Sequence, residues 1–193
     1  MTNTFKSKSW EFLNSNFGLF MMSSIVLSFI TWGYTQWTDS LEKEKALSEK
    51  FAMLSTEISY RVLVMDNYFE SKCSASEHLG MHTFRDIEDI YSASANYKAI
   101  FGENADKDLH TLIWEMAAIQ DDNVKQQYVN CFDSLLHFNA NLNRFQNQMD
   151  TQGMFYGQQI NYEKEINILI EMFKSAIDQI GNDKLLLTTR PRN

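Results

Sequence analysis

The chain is poor in residues that break helices. Pro191 is its only proline, and it has seven glycines in 193 residues. Inside a helix proline costs about 3 kcal/mol and glycine about 1 kcal/mol, so their scarcity permits long helices. Asn-Gly and Asp-Gly pairs are absent, which removes the strongest short-range signal for β-hairpins. No Gly-x-Ser-x-Gly elbow, phosphate loop or glycine-rich dinucleotide turn occurs. The common sequence frames that present a nucleophile or cradle phosphates are therefore missing, and an enzyme is not expected.

Basic clusters are missing as well. The chain carries 17 Lys and Arg against 25 Asp and Glu. All but Lys6, Lys8 and Glu11 lie after Thr38. A domain this acidic has no footprint for nucleic acid and is repelled by an anionic membrane surface.

What the sequence does have is one long stretch without charge. From Phe12 to Thr38 there is no Asp, Glu, Lys, Arg or His. About 20 apolar residues at about 1.5 Å each cross a bilayer core of about 30 Å, so a transmembrane helix is expected here. A cleaved signal peptide would end in a small-x-small site. This run instead leaves through Gly33-Tyr34-Thr35-Gln36-Trp37, which is bulky and aromatic. A buried helix of a soluble core is the other alternative. Trp10 on one side and Trp32, Tyr34 and Trp37 on the other favour a span, because aromatic belts mark both membrane interfaces. Lysines nearly balance across the two flanks. The short tail points to a cytoplasmic amino terminus with the domain outside the cell membrane.

Within this run Ser24, Ser28, Thr31 and Thr35 recur at steps of four, three and four. They share one helix face and could form a seam between spans, which makes self-association one expectation. Hydroxyls returned to their own helix backbone are the alternative.

Everything after the run reads as helix. Leu47, Phe51, Leu54, Ile58, Val62, Met65 and Phe69 form one stripe, with no breaker before about residue 72. Phe84, Ile87, Ile90, Tyr91, Ser94, Tyr97 and Phe101 form a second, closed by Gly102 as a C-cap. A third begins at Leu109, and Asp121-Asp122-Asn123 either kinks it or caps a new start. The cleanest heptad pattern is Tyr128, Cys131, Leu135, Phe138, Leu142, Phe145 and Met149. Ile166, Leu169, Phe173, Ala176 and Ile180 make the last.

The expected fold is all-α. A tail (1–11) and a transmembrane helix (12–38) precede an antiparallel bundle of about four helices with coiled-coil-like packing (39–182) and a loose tail (183–193).

Candidate chemistry is thin. Cys73 and Cys131 could pair if the domain lies outside the cytosol, or stand as one exposed and one buried thiol. Cys73, Glu77, His78 and His82 lie close in sequence, and His78 and His82 are four apart. Gly80 interrupts them and no Glu follows His78, so neither metal nor cofactor is expected. His110 and His137 read as isolated.

One compositional shift remains. Between Gln120 and Asn161 the polar positions are mainly amides, among them Gln126, Gln127, Asn130, Asn139, Asn141, Asn143, Gln146, Asn147 and Gln148. An uncharged face is easier to desolvate against a partner than a charged one, although simple compositional bias would look the same.

These features point to a single-pass, membrane-anchored, oligomeric protein that works by protein–protein interaction. It would serve as an accessory or sensing subunit, with the bilayer and itself or another membrane protein as partners. An effector that permeabilises the bilayer shares the same features. A membrane-tethered metal enzyme is the third alternative.

Overall fold

The computed structural model describes residues 15–73, 81–94, 97–152 and 162–180, without the side chains of 72, 73, 81 and 149–152. Among the described residues the fold is all-helical, with five α-helices and no strand. They are α1 (Asn16–Tyr68), α2 (Met81–Ser92), α3 (Leu109–Ala118), α4 (Asp122–Gln152) and α5 (Tyr162–Asp178). A π-helical turn, Phe69–Cys73, follows α1, and a 3-10 turn, Gly102–Asn104, lies between α2 and α3. The chain divides into two units, Met1–Leu47 and Ser48–Asn193.

The first unit contributes the apolar part of α1. Ser15 caps its start, the hydroxyl accepting the Gly18 amide at 3.0 Å. The most apolar window of this helix is only 6% buried. Phe20, Leu27 and Phe29 are each about two-thirds exposed, at 67%, 66% and 68%. A core helix of a soluble protein would be covered by its neighbours, and this segment is not.

The second unit is built on the stripes legible in the sequence. Leu54, Ile58, Val62 and Met65 of α1 are buried, and so are Phe84, Ile87 and Ile90 of α2. Tyr128, Cys131, Leu135, Phe138, Leu142 and Phe145 of α4 are buried without exception. Ile166, Leu169, Phe173 and Ala176 do the same for α5. All five helices feed one hydrophobic cluster. Ring contacts tie it together: Phe84 to Phe145 at 6.1 Å, Tyr91 to Phe138 at 5.3 Å, and Phe173 to Phe138 and Phe69 at 5.7 and 5.6 Å. Leu47, the first member of the α1 stripe, lies at the unit boundary and is 38% exposed.

Two local readings of the sequence need correction. The second helix does not reach Phe101; it ends at Ser92. Ala93 takes a left-handed backbone conformation, with φ 53°. The Ser94 amide then reaches the Asp89 carbonyl at 2.8 Å, and the Ala93 amide reaches Ile90 at 3.3 Å. That is a Schellman cap made without glycine. Gly102 accordingly caps no helix; it opens a 3-10 turn. At Asp121-Asp122 a new helix starts. The Asp121 carbonyl accepts the amides of Val124 and Lys125 at 2.9 and 2.8 Å, and Asp122 places a negative charge in the first turn.

Candidate functional site

Among the described residues of the second unit, the hollows along α4 (Asn143, Arg144, Asn147) and α5 (Glu163, Lys164, Glu171) are open to solvent. The unit's distinctive features are a buried charge network, a histidine–tyrosine pair and an uncharged helix face.

Glu57 and Arg61 stand one turn apart on α1, facing inward. Their side chains are 0% and 2% exposed, and Arg61 Nε donates to Glu57 Oε1 at 2.9 Å. The rest of the guanidinium is used on backbone. Nη1 donates to the carbonyls of Tyr91 and Lys107, and Nη2 donates to that of Asn104 at 2.9 Å. The second oxygen of Glu57 accepts the amides of Ile100 and Phe101 at 2.8 and 3.2 Å. Burial lowers the Arg61 pKa, and the Glu57 carboxylate opposes that fall by bonding and by charge.

The network ties residues Ile100 to Lys107, between α2 and α3, to α1. The carbonyls of Asn104 and Lys107 and the amides of Ile100 and Phe101 find partners on α1 that a helix would otherwise supply, while Nδ2 of the buried Asn104 has no partner. Nearby, Glu115 pairs with Lys107 at 2.7 Å and with Lys50 at 3.5 Å. Burial pushes the Glu115 carboxyl up, but these two lysines outweigh it and hold it below the ordinary value.

His110, read from sequence as isolated, is not. Its ring stacks on Tyr91 with centroids 5.8 Å apart, and Nδ1 lies 2.9 Å from the Tyr91 hydroxyl. That hydroxyl donates its one proton to the Leu135 carbonyl at 3.1 Å. Nδ1 must therefore carry the proton and donate to Tyr91, which assigns the tautomer. Burial raises the Tyr91 phenol well above its usual value. Burial also lowers the His110 pKa, against the pull of Asp108 at 3.8 Å.

A pH dependence follows. The folded His110 pKa lies below the unfolded value of about 6.5, so its contribution to stability is complete above that pH. It is lost as pH falls through the folded value. His110→Asn keeps a donor for Tyr91 and cannot titrate. Denaturant unfolding at pH 7.5 and 5.5 should show a larger loss in the parent than in this variant, and equal losses would refute the assignment.

The sequence-derived sites sit as follows. The Ser24, Ser28, Thr31 and Thr35 hydroxyls each donate to a carbonyl one turn earlier, at 2.9, 2.8, 2.9 and 2.9 Å. A hydroxyl so engaged keeps lone pairs that a neighbouring helix could address. Trp32, Tyr34 and Trp37 are exposed on α1, and Tyr34 lies 6.2 Å from Trp37. Trp10 lies outside the described residues. Cys131 is a fully buried free thiol, and burial pushes its pKa up to about 12. The Cys73 side chain, Glu77 and His78 lie outside the described residues, while His82 is exposed on α2. Among the described residues no group of three or more His, Cys, Asp or Glu is placed to hold a metal ion.

The amide-rich stretch on α4 divides in two. Gln146 reaches inward to Glu88 at 2.6 Å, and Asn141 donates to the His137 carbonyl at 2.8 Å. Asn130, Asn143, Asn147 and Gln148 are exposed. Gln152, by its side chain, and Gln158 and Gln159 lie outside the described residues.

The Glu57–Arg61 pair was missed from sequence. Its only signal is a Glu four residues before an Arg, a spacing that usually marks a solvated pair.

No family model, curated protein or solved structure matches the chain.

Proposed function

We propose that this is a single-pass membrane protein whose apolar α1 segment anchors an antiparallel helical bundle to the cell membrane. The bundle acts by protein–protein interaction, as an accessory or sensing subunit of a membrane assembly. The amino terminus is cytoplasmic and the bundle lies outside. One observation carries the reading: a window long and apolar enough to cross a bilayer is only 6% buried by the described residues. Leaving that much apolar surface in water is unfavourable by about 25 cal/mol per Å², so another phase or partner must cover it.

The exposed Trp32, Tyr34 and Trp37 at one end of the segment support lipid as that phase. The well-packed acidic domain with a charge-poor helix face supports work by contact. Oligomerisation through the span remains part of the proposal, with Ser24, Ser28, Thr31 and Thr35 on the contact face.

Fractionation tests the anchor. The full chain should sediment with membranes, resist alkaline carbonate and need detergent for release. Recovery as a monodisperse species in a detergent-free supernatant would overturn the reading.

A further inference from the structure

The flank shared by α3 and α4 carries an apolar patch open to solvent. Thr111, Trp114 and Ala118 share one face of α3, and Val129, Phe132 and Leu136 share one face of α4, at steps of three and four. The Trp114 and Phe132 rings meet at 5.0 Å and join the two faces. Trp114 is 49% exposed and Leu136 is 38% exposed. Single exposed apolar side chains are ordinary, but a joined set marks a contact surface. Asp121, Asp122 and Asp133 are exposed around it, against one base, Lys125.

We infer that residues 184–192 of the same chain cover this patch and so mask a docking surface. Composition selects the occupant. Leu185, Leu186 and Leu187 are consecutive, and Lys184, Arg190 and Arg192 flank them. No Asp or Glu follows Asp183. In a chain of net charge −8, this apolar and basic stretch complements an apolar patch set among carboxylates.

Position supports the same occupant. α5 delivers the chain beside α4, where Ile180 is buried and Gln179 Nε2 donates to Ser134 Oγ at 2.8 Å. Oε1 of Gln179 is buried there without a hydrogen-bond partner, so the contact at this point is incomplete. Ser134 and Phe132 lie on either side of the exposed Asp133, about 200° apart around α4. From Ile180 to Leu186 an extended chain reaches up to about 20 Å. That suffices to pass outside a helix about 10–12 Å across, with Lys184 coming level with Asp133.

Three leucines and a few exposed ion pairs make a weak contact. Tethering raises the effective concentration, so a weak contact still closes, and a partner that binds the patch more tightly displaces the cover. The inference stands apart from the membrane anchor, since every residue it uses lies in the second unit.

The test uses the full chain in detergent, with Trp10, Trp32 and Trp37 replaced by phenylalanine, so that Trp114 is the one indole. Replacing Leu185, Leu186 and Leu187 together by serine should raise acrylamide quenching of Trp114 at least roughly twofold, the change expected when a covered indole becomes half-exposed. Lys184→Glu should act in the same direction. A second measurement uses a Cys73→Ser background with the buried Cys131 left in place. Leu186→Cys with Ala118→Cys should form a disulfide within one chain, in at least roughly tenfold excess over Leu186→Cys with Glu163→Cys, an exposed position at the start of α5.

Unchanged quenching, a rise in quenching that comes with loss of helical circular dichroism, or equal disulfide yields for the two pairs would overturn the inference. So would a disulfide-linked product of twice the chain mass, which would assign the segment to a second copy.

Discussion

Replacing Arg61 by methionine is expected to cost about 3–5 kcal/mol of folding stability, because it removes one partner of a buried pair and strands the other. The guanidinium is 2% exposed and reaches Glu57 and three backbone carbonyls. Methionine fills much of the volume and offers no donor. The carbonyls of Tyr91, Asn104 and Lys107 then lose a hydrogen bond, and Glu57 keeps a charge answered only by two loop amides.

Arg61→Lys keeps the charge but loses the planar fork, and a single ammonium cannot serve a carboxylate and three separated carbonyls at once. Its loss should be smaller than that of Arg61→Met and still clear. The Glu57→Gln, Arg61→Met double variant should lose less than the sum of its single variants, since each single leaves the other partner unpaired. Chemical denaturation of the full chain in detergent, followed by helical circular dichroism, reads all four. A loss below about 1 kcal/mol for Arg61→Met would mean that the pair behaves as a surface salt bridge.

Truncating Phe138 to alanine should cost a comparable amount, about 3–5 kcal/mol. Phe138 is fully buried in the heptad stripe of α4. Its ring meets Tyr91 at 5.3 Å and Phe173 at 5.7 Å, so it joins α2, α4 and α5. Removal leaves a cavity lined by aromatic rings on separate helices, which cannot collapse without moving them. Phe138→Leu retains most of the apolar area and should cost less than half as much. Alanine at Asn143, exposed on the same helix, serves as the control and should change little. A small effect of Phe138→Ala would show that this part of the core is loosely packed.

Both predictions concern residues whose role differs in legibility. Phe138 belongs to a stripe with steps of three and four, and periodicity alone marks it as core. Arg61 carries the opposite sequence signal. A charged residue inside a helix reads as solvated, and its inward aim follows from contacts with Tyr91, Asn104 and Lys107, which are remote in the chain. His110 is a similar case: its partner Tyr91 lies on α2, and the Tyr91 hydroxyl is in turn held by the Leu135 carbonyl of α4. The end of α2 was misplaced for the same reason. Ser94, Tyr97 and Phe101 continue an apparent helical spacing, yet Ala93 turns the chain, and Glu57 and Arg61 hold the loop that follows.

Patterns of three and four residues, and the scarcity of proline and glycine, were enough to determine that the chain is helical and which side of each helix is apolar. They also marked the one segment that, among the described residues, is long and apolar enough to cross a membrane. Those properties are local, set by backbone geometry and side-chain spacing. Tertiary structure alone decided where α2 stops, that Glu57 and Arg61 turn inward, and that His110 leans on Tyr91. Each of these depends on which groups meet across long separations in the chain, and hydrogen-bond satisfaction in a buried setting is a property of the assembled fold.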